Sequence, residues 1–181
     1  MNLLKFFADV GKLKTLKRAG WVIRGIKNAE SVAEHSYRTA VLAMAIADKL
    51  KISSKNKLQL IEMALIHDLG EAYVGDIVPE QSISKQKKHL LEKKAQQKIF
   101  ANLENGEYYY KLWLEYEENK TKVSKLLHQL DKLEMVIQAL EYQKLHKQKK
   151  FDEFIQSARE KITEKEIKRL FDKLIVKAEI Y

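Results

Sequence analysis

The sequence predicts an all-α protein folded as a helical bundle. Three observations carry this. There is one proline and there are six glycines in 181 residues, so helix breakers are scarce. No stretch shows the alternation of a half-buried strand. Apolar residues instead recur three and four positions apart. The length suits one domain spanning residues 1–181, with an N-terminal helix and a C-terminal helical extension. A chain of this size buries a core without staples.

The first helix is expected over residues 2–17. A loop follows, with Gly20 and Gly25 around Trp21, Val22, Ile23 and Arg24. The second helix starts at Ser31, where Ser31 and Glu34 fit a capping box, and runs to about Lys51. Its apolar residues form two stripes, Tyr37, Val41, Met44 and Leu42, Ile46, Leu50, so it is expected to lie between neighbours. The third helix spans about Ser54 to Asp68, with Gly70 as a plausible terminator. Within it, LQLIEMALI (58–66) is apolar on all sides except Gln59 and Glu62, which predicts a buried central helix. Residues 71–83 read as a loop around Gly75 and Pro79. A fourth helix covers 84–103, and a tyrosine-rich helix covers 107–118. The long helix 121–147 carries Val123, Leu126, Leu127, Leu130, Leu133, Ile137 and Leu140 at helical spacing, with Asp131 in its middle. An amphipathic helix starts at Thr163, where Thr163 and Glu166 suggest a second capping box.

Composition excludes several chemistries. Without cysteine there is no disulfide, no thiolate metal site and no cysteine nucleophile. The first eleven residues do not read as a signal peptide, and no window has the length of a membrane span, so a cytoplasmic protein with no membrane partner is the expectation. The net charge of +9 admits nucleic-acid binding. Runs such as KQKKHLLEKKAQQK (85–98), however, look like solvated helix faces, so nucleic acid ranks low as a partner. A positive field would still gather a phosphorylated substrate.

The chemistry centres on His67-Asp68. An imidazole beside a carboxylate at the end of an apolar helix places an ionisable pair inside the protein. A buried carboxylate is costly unless paired or bound to a cation. Adjacent helical residues point about 100° apart, so both can reach one ion only near the helix end. Further ligands must come from other helices, and His35 and Asp131 can supply them if their helices flank the third. Imidazole nitrogen and carboxylate oxygen suit Mn, Co, Mg, Fe or Zn. Taken singly, a histidine near an apolar face is more often a hydrogen-bonded core residue, and a mid-helix Asp more often faces water.

SVAEHSYRTAVLAMAIA, ALIHDLGEAYVGDIVP and LHQLDKLEMVIQALEY resemble the three blocks of HD-domain phosphohydrolases, and LKRAGWVIR narrows the resemblance to the branch containing the 5'-deoxynucleotidases. The resemblance implies an HD-domain helical bundle holding one divalent ion through His35, His67, Asp68 and Asp131. It implies hydrolysis of a (deoxy)nucleoside 5'-monophosphate to nucleoside and phosphate. It assigns Glu71 and Asp76 to the active site, with Glu71 acting on the attacking water. Read alone, either is an ordinary acid that Gly70 and Gly75 allow close to the dyad. Arg18 is a phosphate ligand candidate, and Arg24 a second. Trp21 is a candidate to pack on the sugar or base. In better-known bacterial relatives the Arg and Trp are adjacent, whereas Ala19 and Gly20 intervene here. The plainer readings are a core anchor for Trp21 and a surface ion pair for Arg24.

Binuclear relatives carry extra histidines between the dyad and the last Asp. Only His89 and His128 lie there, which favours one metal. Alarmone hydrolases place a Glu-Asp pair after the dyad, but here Glu71 is followed by Ala72. An HD-type phosphatase or phosphodiesterase for another small ester would use the same ligands. Relatives are commonly dimers, so a homodimer is expected.

Overall fold

The structure, a computed structural model, describes residues 1–78, 83–146 and 151–179. Those residues hold ten helices: α1 (Leu3–Lys12), α2 (Ala19–Ile23), α3 (Val32–Lys49), α4 (Ser54–Ile66), α5 (Glu71–Val74), α6 (Lys85–Phe100), α7 (Gly106–Glu118), α8 (Lys122–Leu145), α9 (Asp152–Lys161) and α10 (Lys165–Glu179). Among them the only extended pairing is an isolated bridge between Lys17 and Ser31. The all-α expectation is met. Pro79, expected at the centre of a loop, lies outside the described residues.

Helices α3 and α4 pack on each other, and α8 lies across both. The core between them is built from Ala43, Ile46, Leu60, Met63, Leu127, Leu130 and Leu133. Helix α7 closes the other side of α4 with Trp113, and α9 and α10 pack on α8. The capping box at Ser31 forms as expected, with the Glu34 amide donating to Ser31 Oγ and the Ser31 amide to Glu34 Oε2. This cap fixes the first turn of α3, from which His35 projects.

Several boundaries differ from the sequence expectation, each for a tertiary reason. Helix α1 stops at Lys12 rather than running to 17. The carbonyls of Leu13 and Leu16 accept hydrogen bonds from Ala33 and Val32, which are first-turn donors of α3. A continued α1 would have taken those carbonyls for itself. The expected loop after residue 17 contains the short helix α2. Gly70 sits in right-handed helical conformation and terminates nothing. Its role is space: a Cβ there would stand 3.3 Å from Gln96 Cγ and from the Glu92 carbonyl of α6. The α10 capping box at Thr163 and Glu166 is replaced by Glu164, whose Oε2 accepts from the Ile167 amide. The amides of Thr163 and Glu164 donate instead to Gln129 of α8. Helix α9 was not expected at all.

The Tyr37, Val41, Met44 stripe of α3 and one side of α4 are less buried than their composition suggested, whereas Leu42, Ile46 and Leu50 pack into the core. Tyr37 and Met44 on α3 are 69% and 45% exposed, and Leu58 on α4 is 57% exposed. Neighbours cover the opposite faces of these helices only.

Asp9, buried in α1, ties that helix to α5. Lys5 and Lys12 pair with it, and the Tyr73 hydroxyl donates to its Oδ2 at 2.8 Å. Burial alone would raise this carboxyl, but Lys12, Lys5 and Tyr73 outweigh it and hold it at about 2 against an ordinary 3.8. A depressed pKa contributes stability that is full above pH ~4 and lost as pH falls through ~2. Asp9→Asn is therefore expected to cost about 1–2 kcal/mol at neutral pH, discounted for the two exposed lysines. Urea unfolding of both proteins should show the difference shrinking between pH 4 and pH 2.

Candidate metal centre

The four candidate ligands come from three directions. His35 stands in the first turn of α3, His67 caps the end of α4 with Asp68 beside it, and Asp131 lies midway along α8. His35 and His67 are fully or nearly fully buried, and Asp131 is buried. His35 Nε2 is 3.2 Å from Asp131 Oδ1 and 3.8 Å from Asp68 Oδ2. His67 Nε2 is 3.2 Å from Asp68 Oδ2. One donor atom each from His35, His67 and Asp68 lie within 4.8 Å of one another. Ligands held about 2.1 Å from an octahedral ion stand roughly 3 Å apart when adjacent. The observed separations are close to that.

Both imidazoles are oriented by their other nitrogen. His67 Nδ1 is 2.8 Å from the Ala64 carbonyl. His35 Nδ1 meets Glu134 Oε2 of α8 at 2.5 Å. Each ring thereby turns Nε2 inward, and neither Nε2 has a hydrogen-bond partner among the described residues. Two buried nitrogens aimed at two carboxylates, with no directed bond to either, are what a cation site requires. The residues present fit one divalent ion.

Neighbouring charges shift the ligands' own titration. Burial and Arg18 push His35 down, but Glu134 and Asp131 outweigh them and raise it to about 10. A proton there and a metal there compete for the same lone pair. Burial would raise Asp68, yet His67, Arg18 and His35 hold it well below the carboxylate range. Burial would likewise raise Asp131, which Lys132, His35 and His67 hold far down.

Arg18 reaches the same place from the N-cap of α2. Its Nη1 is 3.3 Å from Asp68 Oδ2 and 3.6 Å from Asp76 Oδ1. Asp76 arrives through a sharp reversal at Gly75, whose φ of 79° favours glycine. The Ala19 amide donates to Asp76 Oδ2 at 2.7 Å, locking the Arg18 segment against that turn. Glu71 opens α5 and is 5% exposed, and its Oε2 is buried with no hydrogen-bond partner among the described residues. Burial, then Asp68 and Asp76, push its carboxyl well above the ordinary value.

Arg18, Asp68, Glu71, Asp76 and Asp131 line one cavity of about 700 Å³. Trp21 and Arg24 also line it, but from behind other contacts. Trp21 is 2% exposed, its Nε1 donates to Glu30 at 2.9 Å, and it packs with Tyr142, Phe151 and Phe154. That is the core-anchor arrangement. Arg24 pairs with Glu153 at 2.5 Å and donates to the Gly20 carbonyl. That is the ion pair of the plainer reading. His128 borders the cavity but stacks on Tyr116 and bonds its carbonyl. His89 pairs with Glu117.

Sequence reading missed Glu134. It lies three positions after Asp131, so it shares that residue's helix face. Arg38, three positions after His35, clamps Glu134 Oε1 at 2.8 Å and reaches Glu141 and Gln138. It also missed Lys132, 2.9 Å from Asp131, and Lys88, which anchors the Ile77 carbonyl at the cavity edge. Glu134→Gln removes the charge that orients His35 while keeping the side chain's shape. Manganese titration calorimetry is expected to show affinity weakened ~10–100-fold, the usual effect of losing such a partner.

A family model described as HD domain matches residues 10–174 of the chain. The chain belongs to the HD domain family. This HD domain is similar to the 5'-deoxynucleotidase HDDC2 of Dictyostelium discoideum, 44% identical over 170 residues that cover 88% of this chain and 90% of that one. The Homo sapiens 5'-deoxynucleotidase HDDC2 is 40% identical over 176 residues, covering 96% and 84%. Among solved structures, a Pyrococcus horikoshii OT3 protein superposes with a TM-score of 0.79 at 31% identity, over 97% of each chain. A protein of Magnetospirillum magnetotacticum MS-1, titled a predicted metal-dependent phosphohydrolase, matches at TM-score 0.72 and 25% identity, over 97% of this chain and 90% of that one.

Proposed function

We propose that this HD domain is a metal-dependent 5'-deoxynucleotidase that hydrolyses deoxynucleoside 5'-monophosphates to nucleoside and phosphate. The observation that carries the reading is the convergence of His35, His67, Asp68 and Asp131, whose two aspartates line one cavity with Arg18 and Glu71. The names of relatives 37–44% identical support the substrate class. Those four side chains would hold one divalent ion, with Mn, Co, Mg, Fe and Zn all compatible with two imidazoles and two carboxylates. When bound, such an ion supplies Lewis-acid polarisation of a phosphate oxygen and a more acidic water.

The chain's own groups do the rest. Arg18 binds the phosphate, with Lys88 and Lys132, which line the same cavity, adding positive charge. Asp76 holds Arg18 in position through its carboxylate and its bond to the Ala19 amide. Glu71 orients the attacking water and takes its proton. Trp21 acts on the substrate by shaping the wall, and Arg24 acts as a second, outer cation. The proposal includes a homodimer and a cytoplasmic setting. The exposed Tyr37, Met44 and Leu58 support the former. No helix among the described residues is long and apolar enough to cross a membrane.

The test is phosphate release from a panel of ribo- and deoxyribonucleoside 5'-monophosphates with added Mn, Co or Mg. Turnover of the deoxy series is expected. Silence across every nucleotide and metal would reject the reading.

A further inference from the structure

The cavity extends well beyond the reacting groups. A phosphate group displaces roughly the volume of three waters, on the order of 100 Å³. The cavity holds about 700 Å³. One side is the metal centre, with Arg18 and Glu71. Another is α9, the helix that sequence reading did not anticipate, which contributes Phe154, Ser157 and Lys161. These three are spaced three and four residues apart, so α9 presents them as a single stripe along one face. Met135 of α8 adds an apolar contribution beside it.

Two features make this wall suited to a ligand. Phe154 is held in place: its ring centroid lies 4.5 Å from that of Trp21, and the Arg24 guanidinium lies 4.5 Å from its centre. A fixed aromatic side chain contributes contact area without losing rotamer freedom on binding. Ser157 and Lys161, in contrast, make no side-chain hydrogen bond or ion pair among the described residues, so a hydroxyl and an ammonium remain to meet polar edges. An apolar, aromatic wall with a few convergent polar groups is the usual make-up of a small-molecule subsite.

We infer that the α9 stripe of Phe154, Ser157 and Lys161, with Met135, is the subsite for the heteroaromatic base of a nucleoside 5'-monophosphate. This rests on the nucleotidase reading and deepens it. The phosphate end is fixed by Arg18 and the metal ligands, and the sugar spans the space between. Every base has apolar faces and carbonyl or ring-nitrogen acceptors, so such a wall admits several bases and rewards the presence of one.

The test compares two substrates of the manganese-loaded full chain: a deoxynucleoside 5'-monophosphate and 2-deoxyribose 5-phosphate, which has the same phosphate and sugar but no base. The native protein is expected to favour the nucleotide in kcat/KM by ~10-fold or more. Ser157→Trp fills the stripe from a half-buried helical position. It should raise the nucleotide KM by ~10-fold while the base-free ester keeps its native kcat/KM. Lys161→Glu, at the exposed last residue of α9, should raise the nucleotide KM several-fold with the same contrast. Equal effects on both esters, or none on either, would overturn the subsite and leave the nucleotidase reading standing. Hydrolysis of neither ester by the native protein would overturn both.

Discussion

Asp68→Ala is expected to abolish both metal retention and phosphate release, with kcat/KM falling at least ~10³-fold, about 4 kcal/mol of transition-state stabilisation. The size follows from its position. Among the described residues, Asp68 is the one carboxylate within 4 Å of His35, His67 and Arg18 together. Removing it takes a ligand from the ion and an ion-pair partner from Arg18, leaving that buried guanidinium to Asp76 at 3.6 Å and to the more distant Glu71 and Asp131. Metal binding is coupled to folding at such sites, so the thermal midpoint gained on adding manganese should also disappear. Elemental analysis of the purified variant checks the first part and a thermal shift series the second. A variant that kept one equivalent of metal would contradict the site as drawn.

Glu71→Gln separates chemistry from assembly. Glu71 is outside the four ligands, is 5% exposed, and has a buried oxygen with no hydrogen-bond partner among the described residues. Glutamine keeps its size but cannot take a proton from water. The expected result is full metal occupancy and nucleotide affinity with kcat lowered ~10²–10⁴-fold, the range for losing a general base. A loss under tenfold would assign the water to another group. Asp76, held by Arg18 and the Ala19 amide, would be the next candidate.

Much of this arrangement was legible in the sequence where the signal is local. The Ser31 cap and the apolar spacing of residues 123–140 report α3 and α8 because capping and helical periodicity act within a few residues. The His67-Asp68 pair at the end of α4 was legible because ionisable groups stand out against an apolar run. What was hidden depends on partners distant in the chain. The end of α1 is decided by carbonyls of residues 13 and 16 serving α3, which no propensity encodes. Glu134 meets His35 across 99 residues of sequence, and its own spacing from Asp131 says only that they share a face. Helix α9 has Phe154, Ile155, Ala158 and Ile162 at helical spacing but follows a lysine-rich stretch that masks its start. Trp21 shows the converse: its type suggests a ligand contact, but its contacts with Glu30 and, far along the chain, Tyr142 hold it in the core.

The account depends on one cation shared by three helices. Anomalous diffraction from crystals of the manganese-loaded protein would locate it directly. One peak about 2.0–2.3 Å from His35 Nε2, His67 Nε2 and carboxylate oxygens of Asp68 and Asp131 is the predicted result. A peak elsewhere, or no peak in a protein that still releases phosphate from nucleotides, would contradict it.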